Sequence, residues 1–137
     1  TDEALPEPLV EPEPAARAPR ILVADDSKVI RLTAARLLES LGYEVVVTAD
    51  GEEACERFAQ DPTAFELVLL DHSMPRLDGP GALARMRELR PELPALFMSG
   101  YTQHQLGLSS GVALLGKPFG PDALTSAVEG ALAQSLR

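Results

Sequence analysis

Five short apolar segments alternate with five segments of helical pattern, and this alternation most constrains the fold. The apolar segments are residues 21–24, 43–48, 67–70, 95–98 and 112–115. Such alternation is typical of βαβ units, in which parallel strands are buried on both faces. Because aromatic residues make up only 4% of the chain, its core must be aliphatic. The sequence predicts an α/β fold: a doubly wound, five-stranded parallel sheet with helices on both faces.

The helical segments follow the strands, and their ends carry recognisable signals. The predicted ranges are 28–41, 50–60, 80–90, 102–108 and 121–134, of which 102–108 has the poorest helix formers. Gly42 is placed to end the first helix, and Asp50 with Glu53 forms an N-terminal capping signature for the second. The apolar spacing assigns four further residues to the buried faces of these helices: Val29, Leu41, Ala59 and Leu89.

Residues 1–20 differ in composition from the rest of the chain. Prolines alternate with glutamates there, and few residues are large and apolar. Proline restricts the backbone and removes hydrogen-bond donors, while the glutamates repel one another. We interpret residues 1–20 as an extended linker or disordered tail, and residues 21–137 as the folded domain.

Charge and cysteine content exclude several classes of partner and cofactor. The net charge of -9 argues against sequence-independent binding of nucleic acid or an anionic membrane by this domain. No apolar run reaches the length of a transmembrane helix. The single cysteine, Cys55, excludes an internal disulfide and a metal-thiolate cluster. These features fit a cytoplasmic location.

Polar or charged side chains that could take part in catalysis or metal binding follow four of the five predicted strands. Asp25 and Asp26 follow the first strand, Asp71 the third, Ser99 the fourth and Lys117 the fifth. The carboxyl ends of parallel strands lie at one edge of a sheet, where ligands bind in open α/β folds. We therefore expect these five residues to converge in one crevice.

The convergence of three carboxylates and one ammonium group suits phosphoryl transfer. Two unit charges about 4 Å apart repel by roughly 4 kcal/mol at an effective dielectric constant of 20. A Mg²⁺ ion, which prefers oxygen ligands, would relieve this repulsion and neutralise a phosphoryl oxygen. We interpret Asp71 as a nucleophile that accepts a phosphoryl group, with Lys117 as a countercharge and the Ser99 hydroxyl as a hydrogen-bond donor.

The chain resembles the receiver domains of bacterial two-component response regulators. The motifs that carry this resemblance are Asp25-Asp26, Asp71-x-x-Met74-Pro75-x-x-Asp78-Gly79, Ser99-Gly100 and Lys117-Pro118-Phe119. They lie in the family's order, each after a predicted strand, and extend over residues 21 to about 134. The resemblance implies a flavodoxin-like sheet with strand order 2-1-3-4-5.

The resemblance also implies roles for the acidic residues. Asp71 would be the phosphoacceptor, taking its phosphoryl group from a phosphohistidine on a histidine kinase or histidine phosphotransfer protein. Asp26, Asp71 and the backbone carbonyl of Ser73 would bind Mg²⁺ directly, and Asp25 would bind it through water. The domain would be a signalling receiver that assists its own phosphorylation and dephosphorylation, and not an enzyme acting on other substrates.

The same resemblance implies a switch, and this chain departs from the family pattern in two places. One is the segment between Ser99 and Lys117, which is shorter than usual in the family. Lys117, positioned by a cis bond to Pro118, would pair with the phosphoryl group, and Ser99 would move toward it. The family usually has an aromatic residue three positions before the lysine, and here that residue is Leu114. Tyr101 is a candidate to replace it in the switch.

Two alternative functions remain open, and the resemblance also indicates the kind of larger protein to which this domain belongs. A pseudo-receiver that only docks partners is opposed by the presence of Asp26, Asp71 and Lys117. A phosphotransferase acting on small molecules is opposed by Ser73, where such an enzyme would carry a second acid. The segments around Ser99 and Lys117 resemble C-terminal receivers of hybrid sensor histidine kinases, which implies a kinase domain upstream in the same protein.

Overall fold

The computed structural model describes residues 19–100 and 112–134, which form nine elements of regular secondary structure. These are β1 (Arg20–Ala24), α1 (Lys28–Ser40), β2 (Glu44–Thr48), α2 (Gly51–Gln60), β3 (Leu67–Asp71), α3 (Gly79–Leu89), β4 (Ala95–Ser99), β5 (Ala113–Gly116) and α4 (Pro121–Gln134). The predicted helix at 102–108 and almost all of the predicted linker lie outside the described residues.

The five strands form one parallel sheet in the order β2-β1-β3-β4-β5. This confirms the predicted sheet and its strand order. Every residue of β3 and β4 is buried, whereas the edge strands β2 and β5 are partly exposed. Strand β1 begins at Arg20, one residue before the predicted start, because the Arg20 backbone pairs with β2 and its carbonyl accepts from the N–H of Glu66 at 2.8 Å.

Helices cover both faces of the sheet, as predicted. On one face, α2 and α3 bury Ala54, Phe58 and Met86 against side chains of β1, β3 and β4. On the other, α1 and α4 bury Leu38 and Leu124 against the opposite side chains of the same strands. No helix in the described part of the chain is long and apolar enough to cross a membrane.

The turn after α1 has the geometry that its glycine predicts. Gly42 adopts a φ of 99°, in the left-handed region that other residues rarely enter. Its N–H donates to the Glu39 carbonyl at 3.0 Å, and the N–H of Tyr43 donates to the Leu38 carbonyl at 3.1 Å. These two bonds satisfy carbonyls at the helix end and turn the chain into β2.

Four residues that the apolar spacing assigned to buried helix faces are exposed instead. Val29 is 71% exposed and Leu41 is 44% exposed, because the inner row of α1 runs through Ala34 and Leu38, and Leu41 lies beyond the helix end. Leu89, the last residue of α3, is 55% exposed, and Ala59 lies on the outer side of α2. The predicted faces were therefore too wide.

The capping signature of α2 forms as predicted and can be tested by mutation. The Asp50 carboxylate accepts from the N–H of Glu53 at 2.8 Å, and Glu53 Oε1 accepts from the N–H of Ala49 at 2.8 Å. We expect Asp50→Ala to lower the free energy of unfolding by about 1 kcal/mol, because a helix N–H loses its acceptor. Urea denaturation measures this. Glu56→Ala, at an exposed site of the same helix, should change it by less than about 0.5 kcal/mol.

Candidate functional site

The ends of four strands bring the predicted site residues to one edge of the sheet. Backbone hydrogen bonds fix these ends relative to one another: the N–H of Asp25 donates to the Thr48 carbonyl at 3.2 Å, and that of Lys117 donates to the Ser99 carbonyl at 2.8 Å. Asp71 ends β3 and is in register with Met98 of β4. The strand ends that carry these residues therefore lie side by side at the carboxyl edge of the sheet.

Lys117 joins two of the predicted carboxylates. Its Nζ lies 2.7 Å from Asp25 Oδ2 and 3.2 Å from Asp71 Oδ1. Asp25 is fully buried and Asp71 is 5% exposed, whereas the Lys117 side chain is 20% exposed. Burial of a carboxylate is costly unless it is paired, so the ammonium group compensates for the loss of water at both acids.

Asp25 is held from several directions at once. Its Oδ1 accepts from the N–H of Ser27 at 2.8 Å, and its backbone carbonyl accepts from Arg31 Nη1 at 2.8 Å. Ser27 in turn caps α1 through its side chain. The sequence analysis missed the contact of Arg31 with Asp25, because nothing in the sequence indicates which carbonyl a helical arginine will contact.

The acidic residues fit a magnesium ion. One carboxylate oxygen from each of Asp25, Asp26 and Asp71 lies within 4.8 Å of the others. An octahedral Mg²⁺ shell with bonds of about 2.1 Å separates its ligand atoms by roughly 3 to 4.2 Å, so small side-chain adjustments suffice. Asp26 is exposed, whereas Asp25 and Asp71 are buried, so the group has an open side through which an ion and its waters can enter.

The site shifts the acid-base properties of its members. Burial, followed by the charge of Asp25, raises the pKa of Asp71 from 3.8 to about 6, although Lys117 opposes the shift. Burial alone would lower the pKa of Lys117, but its hydrogen bonds and charge interactions with Asp25 and Asp71 raise it. Lys117 is thus a fixed positive charge at neutral pH, and Asp71 is ionised there.

The residues that follow Asp71 form a loop that returns closely to β3. The N–H of Ser73 donates to Asp71 Oδ1 at 3.4 Å, and the N–H of Gly79 donates to the His72 carbonyl at 3.0 Å. A Cβ on Gly79 would lie 2.5 Å from the Asp71 carbonyl oxygen, so only glycine fits where α3 begins. The loop therefore keeps the Ser73 backbone beside the acidic group.

His72, the residue that follows Asp71, has a half-buried side chain. Its ring packs edge-on against Phe97, with the ring centroids 5.7 Å apart. The Nδ1 atom is buried and has no hydrogen-bond partner among the described residues. The side chain of His72 thus extends the apolar layer on the α2/α3 face of the sheet and does not join the acidic group.

The remaining site residues lie at or near the ends of β4 and β5. Ser99 is 4% exposed at the end of β4. The bond between Lys117 and Pro118 is cis. Leu114 is half-buried and packs at the margin of the core layer beneath α2 and α3. Tyr101 lies outside the described residues.

The sheet order and the acidic edge define a doubly wound α/β domain with a candidate metal site, and comparisons with known proteins identify its family. A family model described as the response regulator receiver domain matches residues 21–129. The response regulator receiver protein CpdR of Brucella abortus is 33% identical over 114 residues, which are 80% of this chain and 93% of CpdR. The chain therefore belongs to the response regulator receiver domain family, and it is a receiver domain of two-component systems.

Solved structures agree with this assignment. The receiver domain of the hybrid histidine kinase CckA is 37% identical, with a TM-score of 0.72 over 82% of this chain and 98% of that one. The chemotaxis protein CheY4 of Vibrio cholerae is 28% identical, with a TM-score of 0.75 over 84% of this chain and 99% of CheY4. Both structures are matched over nearly their whole length.

Other relatives are much longer than this chain. The transcription factor SKN7 of Chaetomium thermophilum is 33% identical over 128 residues, and the chain covers 16% of its length. The sensor kinase CckA of Brucella abortus is 31% identical over 113 residues, and the chain covers 12% of it. The similarity thus concerns one module of each of these proteins.

Proposed function

We propose that Asp71 accepts a phosphoryl group from a phosphohistidine on a histidine kinase or histidine phosphotransfer protein, in a reaction that requires Mg²⁺. The observation that carries this proposal is the position of Lys117 Nζ within 3.2 Å of carboxylate oxygens of both Asp25 and Asp71. A buried carboxylate with an ammonium group and two further acids beside it is equipped to receive a phosphoryl group and stabilise its charge.

In the proposed reaction an Asp71 carboxylate oxygen attacks the phosphorus of the phosphohistidine. The new P–O bond forms as the P–N bond breaks, and the bonding electrons leave with the imidazole, which takes a proton from water. Asp71, Asp26 and the Ser73 carbonyl would hold Mg²⁺, with Asp25 bound through water, and the ion when bound supplies positive charge for the phosphoryl oxygens. The domain thus assists its own phosphorylation.

Two other residues would respond to the phosphoryl group. Lys117 would turn from Asp71 toward a phosphoryl oxygen while it keeps its contact with Asp25. Ser99, at the end of the strand that neighbours β3, would donate its hydroxyl hydrogen to another phosphoryl oxygen. Movement of Ser99 would be passed to β5, where Leu114 replaces the aromatic residue usual in this family, and Tyr101 is proposed to share that role.

The relatives support a setting for this reaction. The chain corresponds to nearly the whole receiver domain of the hybrid histidine kinase CckA, which supports a position in a hybrid kinase with a kinase domain upstream. It also corresponds to nearly all of CpdR, which is named as a receiver protein. In either setting we propose a histidine kinase or phosphotransfer protein as the partner and the cytoplasm as the location.

Mass spectrometry of the intact protein tests the proposal. We expect a small-molecule phosphodonor with Mg²⁺ to add one phosphoryl group to the unchanged protein, and none after chelation of the ion or in Asp71→Asn. A protein that binds Mg²⁺ but takes up no phosphoryl group would support a pseudo-receiver instead. Catalytic turnover of unrelated phosphate esters would support a small-molecule phosphotransferase.

Removal of one acid should separate metal binding from folding. Asp26 is exposed and is not one of the two carboxylates that Lys117 contacts, so Asp26→Asn leaves the buried ion pairs in place. We expect it to weaken Mg²⁺ binding at least about tenfold, because a direct ligand loses its charge. Its free energy of unfolding without metal should change by less than about 0.5 kcal/mol. Calorimetric titration and urea denaturation measure the two effects, and unchanged Mg²⁺ affinity would contradict the ligand role.

A further inference from the structure

The N-terminus of α2 lies directly against the loop that follows β3, which we call the 72–78 loop. Gly51, the first residue of α2, is buried beneath the Leu77 backbone. A Cβ on Gly51 would overlap the Leu77 carbonyl oxygen and lie 2.9 Å from the Leu77 carbonyl carbon. Glycine is required here for space, since it lets two backbone segments make contact.

Charge pairs join the same two segments. Arg76 Nε lies 3.7 Å from Asp50 Oδ2, and Arg76 Nη1 lies 3.7 Å from Glu52 Oε1. The backbone of Arg76 has a φ of 70°, in the left-handed region that residues other than glycine rarely adopt. A strained backbone of this kind persists when its surroundings hold it, and here the acids at the start of α2 are part of those surroundings.

One residue of the 72–78 loop bonds to the acidic group, and the ends of the loop bond to each other. Ser73 donates its N–H to Asp71 Oδ1, and Gly79, just after the loop, bonds to the His72 carbonyl. Within the loop, the N–H of Leu77 donates to the Pro75 carbonyl at 2.7 Å. Because the loop is short and bonded at both ends, we expect a displacement at Leu77 to change the position of the Ser73 backbone.

We propose that the N-terminus of α2 positions the 72–78 loop for metal binding, and that Gly51 is a positioning residue for the site at Asp71. Gly51 touches no ligand of the ion; it acts through Leu77 on the Ser73 carbonyl. This inference rests on the proposed function, in which that carbonyl binds Mg²⁺. It gives a chemical reason for the glycine between Asp50 and Glu52, which helix capping alone does not require.

The test compares two glycine-to-alanine substitutions in the full chain. Gly51→Ala places a methyl group against the Leu77 backbone, whereas Gly130→Ala, in α4, meets no atom within 4 Å. We expect Gly51→Ala to weaken Mg²⁺ binding about tenfold in calorimetric titration, as loss of a supporting contact does at other metal sites. Gly130→Ala should leave the Mg²⁺ dissociation constant unchanged.

A second variant removes the charge pairs without adding bulk. Asparagine tolerates the left-handed conformation, so Arg76→Asn keeps the backbone and breaks the contacts with Asp50 and Glu52. We expect it to weaken Mg²⁺ binding about two- to fivefold, in line with the small contribution of exposed ion pairs. Arg85→Gln, an exposed arginine on α3, is the control for the change in net charge.

A structural readout without metal distinguishes positioning from general loss of stability. In metal-free protein, the amide chemical shifts of Ser73 and Gly79 should change in Gly51→Ala, while those of the α1/α4 side of the sheet stay the same. If Gly51→Ala binds Mg²⁺ as tightly as the unchanged protein, or if Arg76→Asn does, the inference is wrong although the proposed function stands. Failure of the unchanged protein to bind Mg²⁺ would overturn both.

Discussion

Replacement of Lys117 by methionine is expected to slow phosphorylation of Asp71 by about 10²-fold, the effect of removing one charged donor from a reacting oxygen. Methionine keeps most of the side-chain volume and removes the ammonium group that lies 2.7 Å from Asp25 and 3.2 Å from Asp71. In this variant only Mg²⁺ would stabilise the negative charge of the phosphoryl oxygens, because the ammonium group is gone. The rate of adduct formation, followed by intact mass at saturating Mg²⁺, measures the effect.

Lys28→Met is the matched control for this substitution. Lys28 is exposed at the start of α1 and is not a partner of the acidic group in the described contacts, so its removal changes the net charge by the same amount. We expect its phosphorylation rate to stay within about twofold of the unchanged protein. A Lys117→Met protein that reacts as fast as this control would show that the ammonium group has no part in the reaction.

The second large effect is a gain in stability without metal when Asp71 is replaced by asparagine. The pKa of Asp71 is raised to about 6, first by burial and then by the charge of Asp25. Its ionised form therefore opposes folding at neutral pH. We expect Asp71→Asn to raise the free energy of unfolding of the metal-free protein by about 2 kcal/mol at pH 7.5. Urea denaturation in the presence of a chelator measures this gain.

The sign of this effect fixes its pH dependence. Because the folded pKa lies above the unfolded value of 3.8, the stabilising contribution of Asp71 is complete below that value and is lost as pH rises through about 6. The difference between Asp71→Asn and the unchanged protein should therefore grow between about pH 4 and pH 6.5 and then level off. Saturating Mg²⁺ should reduce the difference, since the ion stabilises the ionised form.

The sequence predicted the sheet and the convergence at its edge because both follow from strand alternation. Once the strands are parallel, Asp25, Asp71 and Lys117 must lie at the same edge of the sheet, and the strand order then decides how close they come along that edge. The burial of β3 on both faces was likewise readable from its unbroken apolar run. The strand order and the role of Ser73 came from the family resemblance and not from the residues alone.

The sequence could not predict contacts that depend on the path of a loop or the width of a helix face. Periodicity gives the direction of a buried face but not how far its neighbours cover it, so Val29 and Leu89 were assigned to the core although they are exposed. His72 alternates with Asp71 along the strand direction, which sends its ring to the α2/α3 side, beside Phe97. Gly51 and Leu77 are in contact, but no pattern in the sequence indicates that these two residues lie together.

The site of phosphoryl attachment is the most direct test of the account. The phosphodonor-treated protein is reduced with borohydride, which converts an aspartyl phosphate to homoserine, and is then digested and sequenced by tandem mass spectrometry. We expect homoserine at position 71, formed only when Mg²⁺ was present during the phosphodonor treatment. Homoserine at Asp25 or Asp26, or a stable phosphate ester on Ser99, would contradict the assignment of Asp71 as the phosphoacceptor.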